Sequence, residues 1–368
     1  MKDNNIKKNM LIMIKPSSSK CQMACEYCFY TDLSVNREVK DFGFMNGKTR
    51  KNIIEKTLEF ASGGDITFTF QGGEPTLIGL DFYEEFKSIV DKLNYKNSNI
   101  NYAIQTNGLS IDDNWMKWLK TNNVLVGISL DGIEKIHDEF RKDKSGRGTF
   151  SKVYITIKEL QRENIDFNIL TVVTDQLISN IEDVFKFYCE ENFKFLQFIP
   201  LIPSTNGKGL NGLSGKKYGD FLIKLYDLWK REIEKNNPVS IRFFDNLYGL
   251  FKGYEYSACE MTGHCNMQNI IESDGSIYPC DFYAIQEYKI GNINEMDFCE
   301  IYKSERAKEF IKKSFKKHSD CLNCKYFSYC RGGCRRYFGE NNKNLYCEGF
   351  NIFYNNRLED IKAFARMY

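Results

Sequence analysis

Three cysteines, Cys21, Cys25 and Cys28, stand at C-x3-C-x2-C spacing in the run Cys21-Gln-Met-Ala-Cys25-Glu-Tyr-Cys28-Phe-Tyr. Three thiolates in so short a loop can hold a 4Fe–4S cube by three of its irons and leave the last iron open. Clusters that only pass electrons use four cysteines, because that task needs no open coordination position. A cube with a free iron can bind a ligand and act on it. Zinc competes for such thiols, but structural zinc sites close with four Cys or His ligands. The histidine nearest in sequence is the distant His137. The fold must therefore present this loop with its thiols converging and one side open.

The remaining sequence of the first two thirds alternates strand and helix. Short β-branched and aromatic runs fall at 10–14, 65–71, 99–106, 124–130, 166–173 and 193–199. Helical periodicity separates them at Thr49–Ala61, Leu80–Leu93, Asp112–Asn122, Phe150–Glu163 and Ser179–Glu191. Successive βα units predict an α/β fold with a parallel sheet, here an open, partial (β/α)6 barrel. Barrel enzymes work at the C-terminal ends of their strands, and the three-cysteine run directly follows the first one. The Gly-, Ser-, Asn- and Pro-rich residues 201–215 read as a loop, followed by an amphipathic helix over about 216–236. Beyond that the βα rhythm stops and cysteines become dense. The expected division is a barrel over 1–238, a cysteine-rich domain over 239–350 and a closing helix over 351–368.

Charge excludes some partners. Lys and Arg total 51 against 49 for Asp and Glu, which gives no electrostatic footprint for nucleic acid or an anionic membrane. No apolar run reaches spanning length and no signal peptide is apparent, so a cytoplasmic protein is expected. In a reducing compartment the 13 cysteines read as metal or redox ligands rather than disulfides. With only three histidines, a catalytic base is expected to be a carboxylate.

Eight further cysteines form two groups: Cys259-x5-Cys265-x14-Cys280, and Cys321-x2-Cys324-x5-Cys330-x3-Cys334-x12-Cys347. Two cubes or two four-cysteine zinc sites satisfy that count equally. Cys189 and Cys299 are left without a role. The lysines of 312–317 read as a solvated face, while Arg331, Arg335 and Arg336 stand where they could donate to a cluster.

The C-x3-C-x2-C run followed by an aromatic resembles the radical S-adenosylmethionine (SAM) enzymes. In that family SAM chelates the open iron, and its reductive cleavage releases a 5′-deoxyadenosyl radical. The resemblance implies SAM contacts from Tyr30, from Gln71-Gly72-Gly73-Glu74, from Asn107 after the third strand, from Ser129 and Asp131 after the fourth, and from Arg141. The Gly pair is expected to let a ligand approach the backbone. Glu74 is expected to accept from the SAM ammonium, and Arg141 suits a carboxylate by its bidentate geometry.

The spacing C-x2-C-x5-C-x3-C resembles the SPASM extension of radical SAM enzymes that modify peptides. More specifically, Ile14-Lys-Pro-Ser-Ser-Ser, Phe70-Gln-Gly-Gly-Glu-Pro-Thr76, Phe195-Leu-Gln-Phe198 and Glu272-Ser-Asp-Gly-Ser-Ile-Tyr-Pro-Cys280-Asp281 resemble the anaerobic sulfatase-maturating enzymes. That resemblance implies three 4Fe–4S clusters and SAM. One auxiliary cluster would be held by Cys259, Cys265, Cys280 and Cys334, and the other by Cys321, Cys324, Cys330 and Cys347. It further implies oxidation of a Cys or Ser to formylglycine in an unfolded sulfatase or its Cys/Ser-x-Pro/Ala-x-Arg peptide, with an electron donor such as flavodoxin or ferredoxin. Asp281 matches the proposed catalytic base, and a carboxylate beside an anionic cluster would have its pKa raised, as a base requires. The same scaffold could instead form a thioether or other crosslink in a ribosomal peptide. A non-catalytic iron–sulfur carrier or zinc-ribbon module would have no use for a three-cysteine site.

Overall fold

The computed structural model describes residues 6–204, 210, 212–339 and 341–367. The expected loop at 201–215 falls partly on 205–209 and 211, outside the described residues. The chain forms two compact units. The first comprises Met1–Ser129, Arg141–Phe167 and Met267–Phe310, and the second Leu130–Phe140, Asn168–Asn266 and Ile311–Tyr368.

The first unit is built on parallel strands β1 (Met10–Ile14), β2 (Ile66–Phe70), β3 (Ile100–Thr106) and β4 (Leu125–Ser129), adjacent in that order. Helices Gly47–Ala61, Leu80–Leu93 and Asp113–Thr121 connect them, within two residues of the expected bounds. Local chemistry explains where these begin. Asn46 accepts the Thr49 amide, and Asp112 accepts the Trp115 amide, each satisfying an orphan donor of a first turn. Alternate residues of β2, Ile66, Phe68 and Phe70, are buried, as a strand covered by helices requires. Phe68 and Phe70 meet Phe86 edge-on at 5.0 and 5.2 Å, and Tyr83 continues that cluster to Trp115 and Trp118.

The expected boundary at residue 239 is not where the compact units divide. β8 (Ile270–Ile271) pairs in parallel with β1, Met13 with Ile270 and Ile14 with Ile271. It then turns into β9 (Ser276–Tyr278) and β10 (Gly291–Asn292), which extend that edge antiparallel. Residues 267–310 thus join the first unit, because a sheet edge outranks sequence proximity in deciding what packs together.

β5 (Phe167–Val173), of the second unit from Asn168 onward, β6 (Phe195–Pro200) and β7 (Ser240–Ile241) form parallel pairs in that order. With β5 and β6, all six expected strand runs are strands. Helix Gly215–Glu234 packs against the long final helix Cys347–Met367. Their crossing is close because glycines meet: a Cβ on Gly219 would lie 2.8 Å from the Gly349 backbone, and one on Gly349 would lie 2.4 Å from the Gly215 carbonyl. The final helix starts at Cys347, four residues before the expected start at 351.

Candidate functional site

The three-cysteine loop belongs to the first unit and is fastened by backbone. The Ala24 amide donates to the Lys142 carbonyl at 2.8 Å, Met23 bridges Asp143, and the Cys28 amide donates to the Cys25 carbonyl at 3.2 Å. Helix Phe29–Val35 starts directly after Cys28. The Cys21 sulfur accepts from the Met23 amide at 3.4 Å and from Asn107 Nδ2 at 3.6 Å. Burial first, then the neighbouring Glu74 and Cys28, push the Cys21 thiol up to about 11. Thiols crowded into one partly buried loop repel one another as thiolates, and a bound cationic cluster reverses that penalty. The donor set therefore fits an iron–sulfur cube held by three irons. Buried Arg141 lies over the Tyr27 ring at 5.3 Å, so it backs the loop from inside the unit.

The strand-end residues fall into two groups. Asn107 touches Cys21 as above, its Oδ1 accepts the Leu109 amide at 3.0 Å, and Ser129 Oγ accepts from Gln105 at 3.4 Å. These two remain candidates for direct contact. Glu74 is 1% exposed, and its carboxylate accepts from the Thr76 amide and hydroxyl, the Thr106 hydroxyl and the Asn107 amide at 2.7–3.1 Å. These bonds tie Glu74 to the end of β3. Burial raises its pKa, against those hydrogen bonds. Asp131, in the second unit, is likewise 1% exposed, and its Oδ1 accepts the Val172 amide at 2.8 Å. The two glycines also serve the protein. A Cβ on Gly72 would lie 2.4 Å from the Lys15 Cε, and one on Gly73 would lie 2.3 Å from the Lys20 carbonyl.

Asp281 follows Cys280 and lies in a short turn, Asp281–Tyr283, of the first unit. Its Oδ2 accepts from the Tyr30 hydroxyl at 2.6 Å and from Gln71 Nε2 at 3.3 Å, and Gln71 also donates to the Tyr30 oxygen at 2.8 Å. Its Oδ1 is 3.1 Å from Lys15 Nζ. Burial, then the Asp281 charge, raises the Tyr30 phenol well above its ordinary value, which keeps it a donor. The resemblance implies Tyr30 and Gln71 as cofactor contacts; the structure puts their polar ends on Asp281. Lys15, Arg37 and Glu272 carry no role in that resemblance. Lys15 Nζ lies 3.3 Å from Glu272 Oε1, and Arg37 lies 2.8 Å from the same oxygen. Glu272 is buried, which opposes ionisation, yet Lys15 and Arg37 hold its carboxyl below the usual range. The signal available was the string Ile14-Lys15-Pro, which carried the resemblance without a role.

The second unit gathers two sets of thiols. Cys321, Cys324, Cys330 and Cys347 all line one cavity of about 320 Å³. That is far more room than one ion needs and suits a cluster. Burial, then Cys324, Cys321 and Cys347, push Cys330 up to about 11. Cys334 is pushed up to about 12, by burial first and then by the charges of Cys259 and Cys265. The Cys265 amide donates to Ser314 Oγ at 2.9 Å, and Cys334 Sγ accepts the Arg336 amide at 3.4 Å. Cys280, the fourth member expected with them, lies in the first unit. None of the thirteen cysteines forms a disulfide. Lys312, Lys313 and Lys316 are exposed as expected, but Lys317 is half-buried with its ammonium on the Gly263 and Ser314 carbonyls. Arg331 lies over the Tyr256 ring, and Arg336 donates to the Pro203 carbonyl.

Comparison with known proteins fits this arrangement. The sequence matches the radical SAM superfamily over residues 16–188 and the SPASM iron–sulfur cluster-binding domain over residues 259–325. It is 43% identical to a cysteine-type anaerobic sulfatase-maturating enzyme of Clostridium novyi, over 98% of both chains. The chain belongs to the anaerobic sulfatase-maturating enzymes. A cysteine-type member from Clostridium perfringens is 42% identical over 93% of this chain and 95% of its own. The solved structure of native anSMEcpe with bound AdoMet and Kp18Cys peptide superposes with a TM-score of 0.92 at 39% identity, covering 98% of this chain and all of that one. This is thus a radical SAM oxidoreductase that uses SAM and 4Fe–4S clusters to oxidise a Cys or Ser of a sulfatase to formylglycine. Among the described residues no helix is long and apolar enough to cross a membrane.

Proposed function

We propose that the residue oxidised is a cysteine, within a Cys-x-Pro/Ala-x-Arg segment of an unfolded sulfatase, and that Asp281 accepts its proton. The observation that carries the reading is the setting of Asp281, a carboxylate gripped from three sides in the unit that bears the three-cysteine loop. The cysteine-type relatives favour cysteine over serine. When bound, SAM and the clusters supply a radical that removes a hydrogen atom from the substrate β-carbon, and a sink for the electron that then remains. Asp281 takes the thiol proton as that electron leaves, so a carbon–sulfur double bond forms. Water hydrolyses the thioaldehyde to the aldehyde and releases hydrogen sulfide. Tyr30 and Gln71 hold the accepting oxygen in place.

We assign Cys21, Cys25 and Cys28 to the SAM-binding cluster. Cys321, Cys324, Cys330 and Cys347 are assigned to one auxiliary cluster, and Cys259, Cys265 and Cys334 to the other. Asn107, Ser129, Arg141 and the backbone of the Gln71–Glu74 turn are assigned to SAM. The reading carries with it a cytoplasmic setting and a flavodoxin- or ferredoxin-type reductant. Anaerobic reconstitution should give about twelve irons per chain. Mass spectrometry of paired Cys and Ser peptides after incubation with reductant and SAM tests the rest. The Cys peptide should exchange its sulfur for an aldehyde oxygen, faster than the Ser peptide loses two hydrogens to reach the same aldehyde. A stable product that keeps its sulfur but has lost hydrogen would point to a crosslink instead.

A further inference from the structure

We propose that Lys15 is a positioning residue for Asp281, held in place by Glu272 and Arg37; this rests on Asp281 being the proton acceptor. Four observations lead there. The Lys15 ammonium reaches Asp281 Oδ1 at 3.1 Å, the oxygen that Tyr30 and Gln71 do not hold. Without it one carboxylate oxygen is fixed and the other is free to swing. Second, Lys15 and Glu272 have side chains 1% and 0% exposed, while Asp281 keeps 8%. Of these three, only Asp281 has surface that a substrate can touch, so the other two act through it. Third, sheet register creates the pairing. β8 runs beside β1 with Ile271 opposite Ile14, so the next position in each strand sets Glu272 against Lys15. The Lys15 amide donating to the Ile271 carbonyl at 2.9 Å confirms that alignment. Fourth, the lysine stem has a dedicated channel. It passes where a Cβ on Gly72 would be, 2.4 Å from Cε and 2.9 Å from Cγ. The lysine head also lies 4.6 Å from the Tyr30 ring, so it braces both Asp281 and the tyrosine that donates to it.

Arg37 completes the arrangement. Its Nη1 lies 2.8 Å from Glu272 Oε1, its Nε donates to the Ala284 carbonyl, and Ala284 ends the turn that carries Asp281. Two cations and two carboxylates balance in a region nearly closed to water. An unpaired charge there would be costly, so each member fixes the next: Arg37 fixes Glu272, Glu272 fixes Lys15, and Lys15 fixes Asp281.

The test uses Lys15→Met, Gly72→Ala and Glu272→Gln in the reconstituted full chain. Three readouts are taken: iron per chain, 5′-deoxyadenosine formed with a Cys peptide, and formylglycine formed per 5′-deoxyadenosine. Lys15→Met should keep its iron and the peptide KM while the product ratio falls about a hundredfold, the scale of a reacting group misplaced by about 1 Å. Gly72→Ala displaces the lysine stem and with it the ammonium, so it should lower the same ratio, but add little to that ratio in the Lys15→Met background, where no ammonium is left to displace. Lys15→Met combined with Glu272→Gln restores charge balance but not the grip on Asp281, so the ratio should stay low. A ratio unchanged in Lys15→Met overturns the proposal. So does recovery in the double variant, which would make Lys15 a counter-ion to Glu272 only. Loss of iron or of soluble protein in all variants would make the network structural and also overturn it. Failure of the wild-type chain to form any aldehyde would instead sink the reading of Asp281 on which this rests.

Discussion

The two cysteine regions solve one problem in opposite ways. In the first unit Cys21, Cys25 and Cys28 sit in a single loop, fastened by backbone bonds to residues 142 and 143 and by Asn107. In the second unit Cys321, Cys324, Cys330 and Cys347 are collected around one cavity, and the last of them arrives on a long helix. A local loop needs few partners and can leave a coordination position open. A collected set closes on its contents, and its integrity depends on helix packing far from the thiols. The first region should thus fail only when its own ligands change. The second should fail when distant packing changes.

The strongest way to break that contrast is to remove the local loop. Replacing Cys21, Cys25 and Cys28 by Ala should abolish 5′-deoxyadenosine formation and remove about a third of the iron. The second unit should keep its clusters, read as the iron and absorbance that remain. Loss of most of the iron would mean the regions are not independent.

Asp281→Asn comes next. Asparagine keeps shape but cannot accept the proton at neutral pH. Formylglycine should fall about a hundredfold to ten-thousandfold, the usual contribution of a general base, while 5′-deoxyadenosine is still made. Unchanged product would return Asp281 to a turn residue, and loss of iron would tie it to the neighbouring Cys280.

What was legible in the sequence follows the same local and collected division. The cysteine loop and the six strands show themselves because spacing and period-2 burial are local. The Asp281 setting does not, since Tyr30 and Asp281 are 251 residues apart. Their meeting depends on β8, a two-residue strand too short to show any period. The inward turn of Glu74 was hidden because a carboxylate after a Gly-Gly turn looks the same whether it faces a ligand or the next strand. The start of the last helix was missed where Gly349 weakens helix propensity. That glycine is there for the close crossing, a tertiary demand.

Gly349→Ala tests that crossing, the weak point expected of the collected region. Its Cβ would lie 2.4 Å from the Gly215 carbonyl and 2.9 Å from the Gly219 amide nitrogen, all backbone that cannot rotate away. Overpacking of this kind costs about 1–3 kcal/mol. Thermal unfolding should come earlier, and the iron lost first on mild chelation should be about a third of the total, with SAM cleavage retained. Equal resistance to chelation would mean that the helix crossing does not hold Cys347.

The smallest effect is expected from the polar contact on the same helix pair. Asp360 on the last helix accepts from Lys230 at 2.7 Å and from Tyr226 at 2.9 Å, both on helix Gly215–Glu234. Partial burial raises its pKa, but Lys230 and Tyr226 outweigh that and hold its carboxyl below the ordinary 3.8. A carboxylate with a depressed folded pKa contributes stability that is present above the unfolded value and lost only as pH falls through the folded one. Asp360 is therefore ionised at every pH where acid-labile clusters survive. The cost of Asp360→Asn should be flat from about pH 6 to 9. Its side chain is 40% exposed, and exposed ion pairs are worth at most about 1 kcal/mol and weaken with salt. The variant should unfold slightly earlier in dilute buffer, match the wild type in concentrated salt and keep all its iron. An effect as large as that of Gly349→Ala would show that charge, rather than glycine-to-glycine approach, fixes the helix that delivers Cys347.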